Sequence, residues 1–167
     1  SIWSGLTFVT NLPGIGDGEL FFGKLIAPRE LPYYLAVWIG ITTPLFYLVL
    51  ALIGACGSLR EWVKSRSLTK LPRETIFDLF CLALFLVYYA LIVISKATIY
   101  HGWRHAYFLY APMLVLIASG LAKIITARHA VVRLSAALAC VLTFAMTARW
   151  IAVNHPLDFA YFNALGR

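Results

Sequence analysis

YLAVWIGITTPLFYLVLALIGA, from Tyr34 to Ala55, contains no charged residue. At 1.5 Å per residue, a helix over this stretch is long enough to cross about 30 Å of hydrocarbon. Pro44 stands in the middle of the run, after Thr42 and Thr43. A kink is expected there, with the freed carbonyl satisfied by a hydroxyl or a neighbouring helix. Three further runs obey the same length rule, about 76–95, 106–125 and 134–153. The reading is therefore an all-α integral membrane fold with four transmembrane helices.

The bulk composition agrees. Of 167 residues, 62% are hydrophobic and 13% are charged, against roughly 25% charged in a soluble domain. A net charge of +7 would suggest nucleic acid in a soluble protein, but these charges sit between or at the ends of apolar runs. They point to orientation and anionic lipid instead, and no nucleic-acid partner is expected. Cys56, Cys81 and Cys140 each fall within or at the end of an apolar run, so they read as buried free thiols. No metal site and no cofactor is expected.

Residues 1–33 are broken by Pro13, Gly14, Gly16, Gly18, Gly23, Pro28 and Pro32, so they form an interfacial arm rather than a span. Gly14-Ile15-Gly16-Asp17-Gly18 follows a proline and lacks a Lys-Ser/Thr ending, and reads as a turn rather than a phosphate loop. Residues 56–75 form a polar loop. Asp78, just inside the second span, reads as a charge placed at a helix N-terminus. Pro112 lies early in the third span, and Ala118-Ser119-Gly120 near its far end would let another helix approach closely. A short basic connector, 126–133, makes the third and fourth spans a hairpin. Arg149 and Trp150 end the fourth as interfacial anchors do, and 154–167 form a short polar tail.

Four crossings put the arm, the 96–105 loop and the tail on one side. That side carries six basic and four acidic residues; the two basic loops carry eight and three. Positive-inside places the basic loops in the cytoplasm and the arm, loop and tail outside, on the periplasmic face of a bacterial inner membrane.

The 96–110 stretch joins Lys96, His101, Arg104 and His105 to Tyr100, Trp103, Tyr107, Phe108 and Tyr110. Rings and cations in this mixture suit the depth of lipid phosphates. Arg104 offers a planar donor fork for phosphate, with Lys96, His105 and His101 beside it. His101 and His105 are four apart, and His155 and Asp158 could join them, but Gly102 intervenes and no Glu accompanies them; phosphate is the simpler partner. Plain anchoring of a helix end accounts for the same residues. No span carries an ionisable residue near its midpoint, which argues against a pump or coupled transporter.

Three patches taken together resemble the bacterial GT-C membrane glycosyltransferases of the protein-mannosyltransferase-like family, glycosyltransferase family 39. They are Phe22-Gly23-Lys24 with Leu31 to Trp38 and Thr42 to Leu45; His101-Gly102-Trp103-Arg104-His105-Ala106-Tyr107-Phe108, where an Asp often replaces His101; and His155-Pro156 with Tyr161-Phe162-Asn163. The resemblance covers most of the chain. It implies a C-terminal part of an enzyme moving a sugar from a polyprenyl-phosphate carrier to an acceptor on the outer face. It also implies a catalytic acid upstream of Ser1, so the catalytic residues are unknown here, and Asp17, Glu19, Glu30 and Asp158 are not given that role. Carrier phosphate would meet Arg104, Lys96, His105 and His101, while Tyr33, Tyr34 and Trp38 would line a prenyl groove. The other partners expected are membrane lipids and the remainder of the polypeptide or a partner subunit, with a soluble domain following the tail. The alternative is a non-catalytic membrane scaffold subunit that binds a lipid headgroup or a partner protein. The topology predicts that, in a cysteine-free background, single cysteines at Ser65 and Thr98 react with impermeant reagent from opposite sides of the membrane; reaction from one side would overturn it.

Overall fold

The computed structural model describes residues 18–97, 99, 102–154 and 161–166, without the side chains of Glu19, Leu20 and Arg29. The protein is an all-α integral membrane protein to which one small antiparallel ribbon is added. Strands β1 (Glu19–Phe21) and β2 (Lys24–Ile26) pair with Phe21 opposite Lys24. Phe22 and Gly23 turn the ribbon with φ of 48° and 76°, the left-handed pair that a two-residue hairpin requires. Sequence reading expected no strand here, because Phe replaces the usual Asn or Asp of such a turn. The Gly14 to Asp17 turn lies outside the described residues.

The helices are α1 (Tyr34–Thr42), α2 (Leu45–Ser65), α3 (Arg73–Ile94), α4 (Tyr110–Ile125) and α5 (Ala130–Asn154), with 3-10 turns at Pro28–Glu30, Leu68–Lys70 and Arg104–Leu109. Four segments are long and apolar enough to cross a membrane: Leu45–Ser65, Arg73–Ile94, Arg104–Ile125 and Ala130–Asn154. The helix expected over 34–55 is instead two. The break falls at Thr43 and Pro44, and α2 continues to Ser65, so Arg60, Glu61 and Lys64 are helical and the loop shrinks to Arg66–Pro72. Its last two turns are tied to α3 by the Thr75 hydroxyl, which donates to Glu61 Oε2 at 2.5 Å.

The break explains itself through its carbonyls. Pro44 has no N–H for the Gly40 carbonyl, and an unpaired carbonyl in apolar surroundings costs several kcal/mol. The partner is neither a hydroxyl nor a neighbouring helix but Asn163 of the tail. Its Nδ2 donates to Gly40 O and to Thr43 O, both at 2.6 Å, and its backbone N–H donates to Ile41 O at 2.7 Å. Its Oδ1 accepts from the Leu165 N–H at 2.8 Å. Both amide hydrogens are used, and Asn163 is buried.

Helices α2 and α4 are parallel and touch backbone to backbone. A Cβ on Gly54 would lie 2.1 Å from Leu116 O, and one on Gly120 would lie 2.0 Å from Leu50 O. Gly120 thus does what its small size suggested. One turn further on, Asp78 enters from α3. It is not a helix cap: it is the sixth residue of α3 and is buried. It accepts from Ser58 Oγ at 2.7 Å, from Ser119 Oγ, and from Lys123 Nζ at 3.3 Å; Lys123 also donates to Ser119 Oγ at 2.8 Å. A carboxylate can be buried here because three donors surround it, one of them the Lys123 ammonium with its opposite charge. Helix α5 packs lightly, with Ala136 its one buried residue.

The crossing makes opposite predictions for two glycines. Gly120→Ala should destabilise the protein by about 3 kcal/mol or more, since Leu50 O is backbone and cannot swing away. Gly40→Ala, with nothing within 4 Å of the added carbon, should be neutral or stabilising by up to about 1 kcal/mol. Thermal unfolding in detergent followed by tryptophan fluorescence checks both, and equal melting of the two variants would contradict the crossing.

Candidate functional site

The end of the bundle that carries Lys96 is built on Arg104–Leu109, 3-10 turns that meet at a kink at Ala106. In such turns residues three apart come to one side. Trp103, Ala106 and Leu109 form a buried column, while Arg104, His105, Tyr107 and Phe108 are exposed. Trp103 anchors the column. Its Nε1 donates to Thr42 Oγ1 at 2.8 Å, that hydroxyl donates to Trp38 O at 2.6 Å, and its ring meets Tyr107 edge-on at 5.1 Å.

Gly102 precedes it at φ 79°. A Cβ there would lie 3.3 Å from the Trp38 ring, so the turn suits glycine in conformation and in space. Its N–H donates to the Tyr34 hydroxyl at 3.3 Å. Tyr34 is 2% exposed and sits among Phe21, Trp38 and Ile99. Trp38 lies against Phe162 with ring centres 5.8 Å apart. Expected in a prenyl groove, Tyr34 and Trp38 instead belong largely to the protein interior. Of the three aromatics assigned there, Tyr33 is the one that presents an open ring, 52% exposed.

Lys96 closes α3. The Lys96 N–H donates to Val93 O at 3.3 Å and the Ala97 N–H to Ile92 O at 3.2 Å, the two bonds of a Schellman ending. The residue between them must be left-handed, and Lys96 has φ 49°. Glycine is usual at this position, and a side chain there costs about 1 kcal/mol. Helix-dipole attraction for a cation offsets part of that cost.

Lys96 also borders a cleft of about 210 Å³ between the arm, the start of α1 and the end of α3. Leu31, Leu35, Ile92 and Ile99 give it apolar walls, and Glu30 stands on the arm side. Tyr89 ties arm to α3 by donating to Pro32 O at 3.1 Å. Among the described residues neither the Lys96 ammonium nor the Glu30 carboxylate has a hydrogen-bond or ion-pair partner.

Of the four expected phosphate contacts, Lys96, Arg104 and His105 are exposed near one end of the bundle, and His101 lies outside the described residues. Lys96 lines the cleft; Arg104 and His105 stand on the adjoining 3-10 helix. The metal alternative involved His101, His155 and Asp158, which also lie outside the described residues. Glu30 was considered in the sequence only as an acid, and its place opposite Lys96 depends on a fold of the arm that no spacing reveals.

These elements define a polytopic all-α membrane protein with a cationic, aromatic-rich corner and a small cleft at the end of its third helix. Comparison with family models, with curated proteins and with solved structures finds no match to the chain.

If Lys96 is kept at a glycine position for its charge, Lys96→Gly should raise stability or leave it unchanged, within about 1 kcal/mol. Thermal unfolding measures this. A clear loss of stability would make Lys96 a structural residue.

Proposed function

We propose that the chain is the membrane part of a polyprenyl-phosphate-dependent glycosyltransferase of GT-C type, resident in a bacterial inner membrane with the arm, the 96–105 loop and the tail on the outer face. The observation that carries this reading is Lys96, whose ammonium has no partner among the described residues, bordering a cleft with apolar walls on the turn where an apolar helix ends. A phosphate on a prenyl chain needs that combination: a cation at headgroup depth and apolar surface beneath it.

In the transfer, an acceptor oxygen forms a bond to the anomeric carbon as the bond from that carbon to the phosphate oxygen breaks. A carboxylate takes the acceptor's proton, and cations stabilise the anionic phosphate that departs. The second task belongs to Lys96 and Arg104, with His105 and His101 assisting. The first belongs to a residue outside this chain segment. Tyr33, exposed beside the arm, is the aromatic best placed to meet the prenyl chain.

The test uses the intact enzyme. Arg104→Ala should lower both polyprenyl-phosphate affinity and sugar transfer by roughly tenfold or more, as loss of a charge-assisted hydrogen bond does. Unchanged affinity and transfer would overturn the assignment and favour a non-catalytic scaffold.

A further inference from the structure

We propose that the cleft between the arm and the end of α3 selects a phosphate bearing a protonated amine, with Lys96 on the phosphate and Glu30 on the ammonium. The inference rests on the reading of Lys96 as a phosphate contact and adds the class of headgroup that the cleft accepts.

The reason lies in the two charges. Glu30 comes from the arm and Lys96 from the end of α3, and both border one cleft of about 210 Å³. Were their role to clip the arm to the helix, they would form an ion pair, yet neither has a partner among the described residues. The clip is made elsewhere, by Tyr89 to Pro32 O and by Phe21 packed on Tyr34.

Bordering one cleft from its two sides, the pair acts as a filter. A plain anionic headgroup is attracted by Lys96 and repelled by Glu30; a plain cation meets the reverse. A ligand carrying both charges satisfies both groups. Between them the walls are apolar, from Leu31, Leu35, Ile92 and Ile99, and the Tyr34 hydroxyl already accepts the Gly102 N–H. Such walls add apolar contact and leave recognition to the two charged groups.

Phosphoethanolamine has the required chemistry, and it can come from a phospholipid headgroup or from the free compound.

Binding to the full chain in detergent is measured by calorimetry with dihexanoyl phosphatidylethanolamine, dihexanoyl phosphatidylglycerol and free O-phosphoethanolamine. The ethanolamine lipid should bind at least tenfold tighter than the glycerol lipid. Glu30→Gln, at an exposed carboxylate with no partner among the described residues, should keep the fold and erase that preference. Equal binding of the two lipids to the unaltered protein, or a preference that survives Glu30→Gln, would overturn the proposal. Free O-phosphoethanolamine competing at comparable concentration would support the chemistry with a soluble source, and failing to compete while the lipid preference holds would support it with a phospholipid source. Lys96→Gly separates the two readings. If it leaves binding of both lipids intact, the phosphate assignment of Lys96 fails, whereas an ineffective Glu30→Gln with a damaging Lys96→Gly removes the ammonium contact alone.

Discussion

A carbonyl that loses its amide inside apolar surroundings must find another donor, and the Gly40 carbonyl loses its donor to Pro44. Much of the architecture at the Lys96 end follows from how that need is met. Asn163 supplies both of its side-chain hydrogens and its own N–H to three carbonyls around the break. The tail is thereby fixed beside α1, Phe162 comes to rest against Trp38, and α1 is free to leave the line of α2. Its Trp38 can then meet Gly102, and its Thr42 can receive the Trp103 indole. The loop that carries Arg104 and His105 stands on that platform.

The two ends of the bundle are held differently. At the basic-loop end, α2 and α4 close to backbone contact at Gly54 and Gly120, and one carboxylate, Asp78, gathers two hydroxyls and an ammonium from the facing helices. There Asp78 and Lys123 are spent on one another. At the Lys96 end the polar groups that build the fold are carbonyls, an indole and an amide, while Lys96 and Glu30 are left unpaired among the described residues. A cation and a carboxylate so left, bordering one cleft, direct attention to the Lys96 end as the place where a ligand would be met.

Length and charge were enough to count four spans and to find the last three, because a helix in hydrocarbon must be long and largely uncharged whatever its neighbours are, whereas the first lies over Leu45–Ser65 rather than 34–55. Pro44 announced a disturbance and Gly120 a close approach for equally local reasons. What stayed hidden depends on distant partners. Asn163 is an ordinary tail residue until it meets a helix break some 120 positions earlier. Asp78 lay close enough to a helix start to pass for a cap, and its real partners come from α2 and α4. The continuation of α2 to Ser65 was masked by Arg60 and Lys64, which suit the polar end of a helix as well as a loop. In the candidate site, the exposure of Arg104 and His105 could be found from the period of three in Trp103, Ala106 and Leu109, a signal that a search at 3.6 residues passes over. The opposition of Glu30 and Lys96 had no such signal.

The central claim is that Asn163, by satisfying the broken helix, holds the platform under the Arg104 loop. Hydrogen exchange on Asn163→Ala tests it most directly. Amides of residues 34–47 and 102–109 should lose protection by roughly tenfold or more, the scale set by a carbonyl left unpaired, while those of α2 beyond Gly54 and of the first half of α3 keep theirs. Unchanged protection at 102–109, or a loss spread evenly over the bundle, would contradict the account.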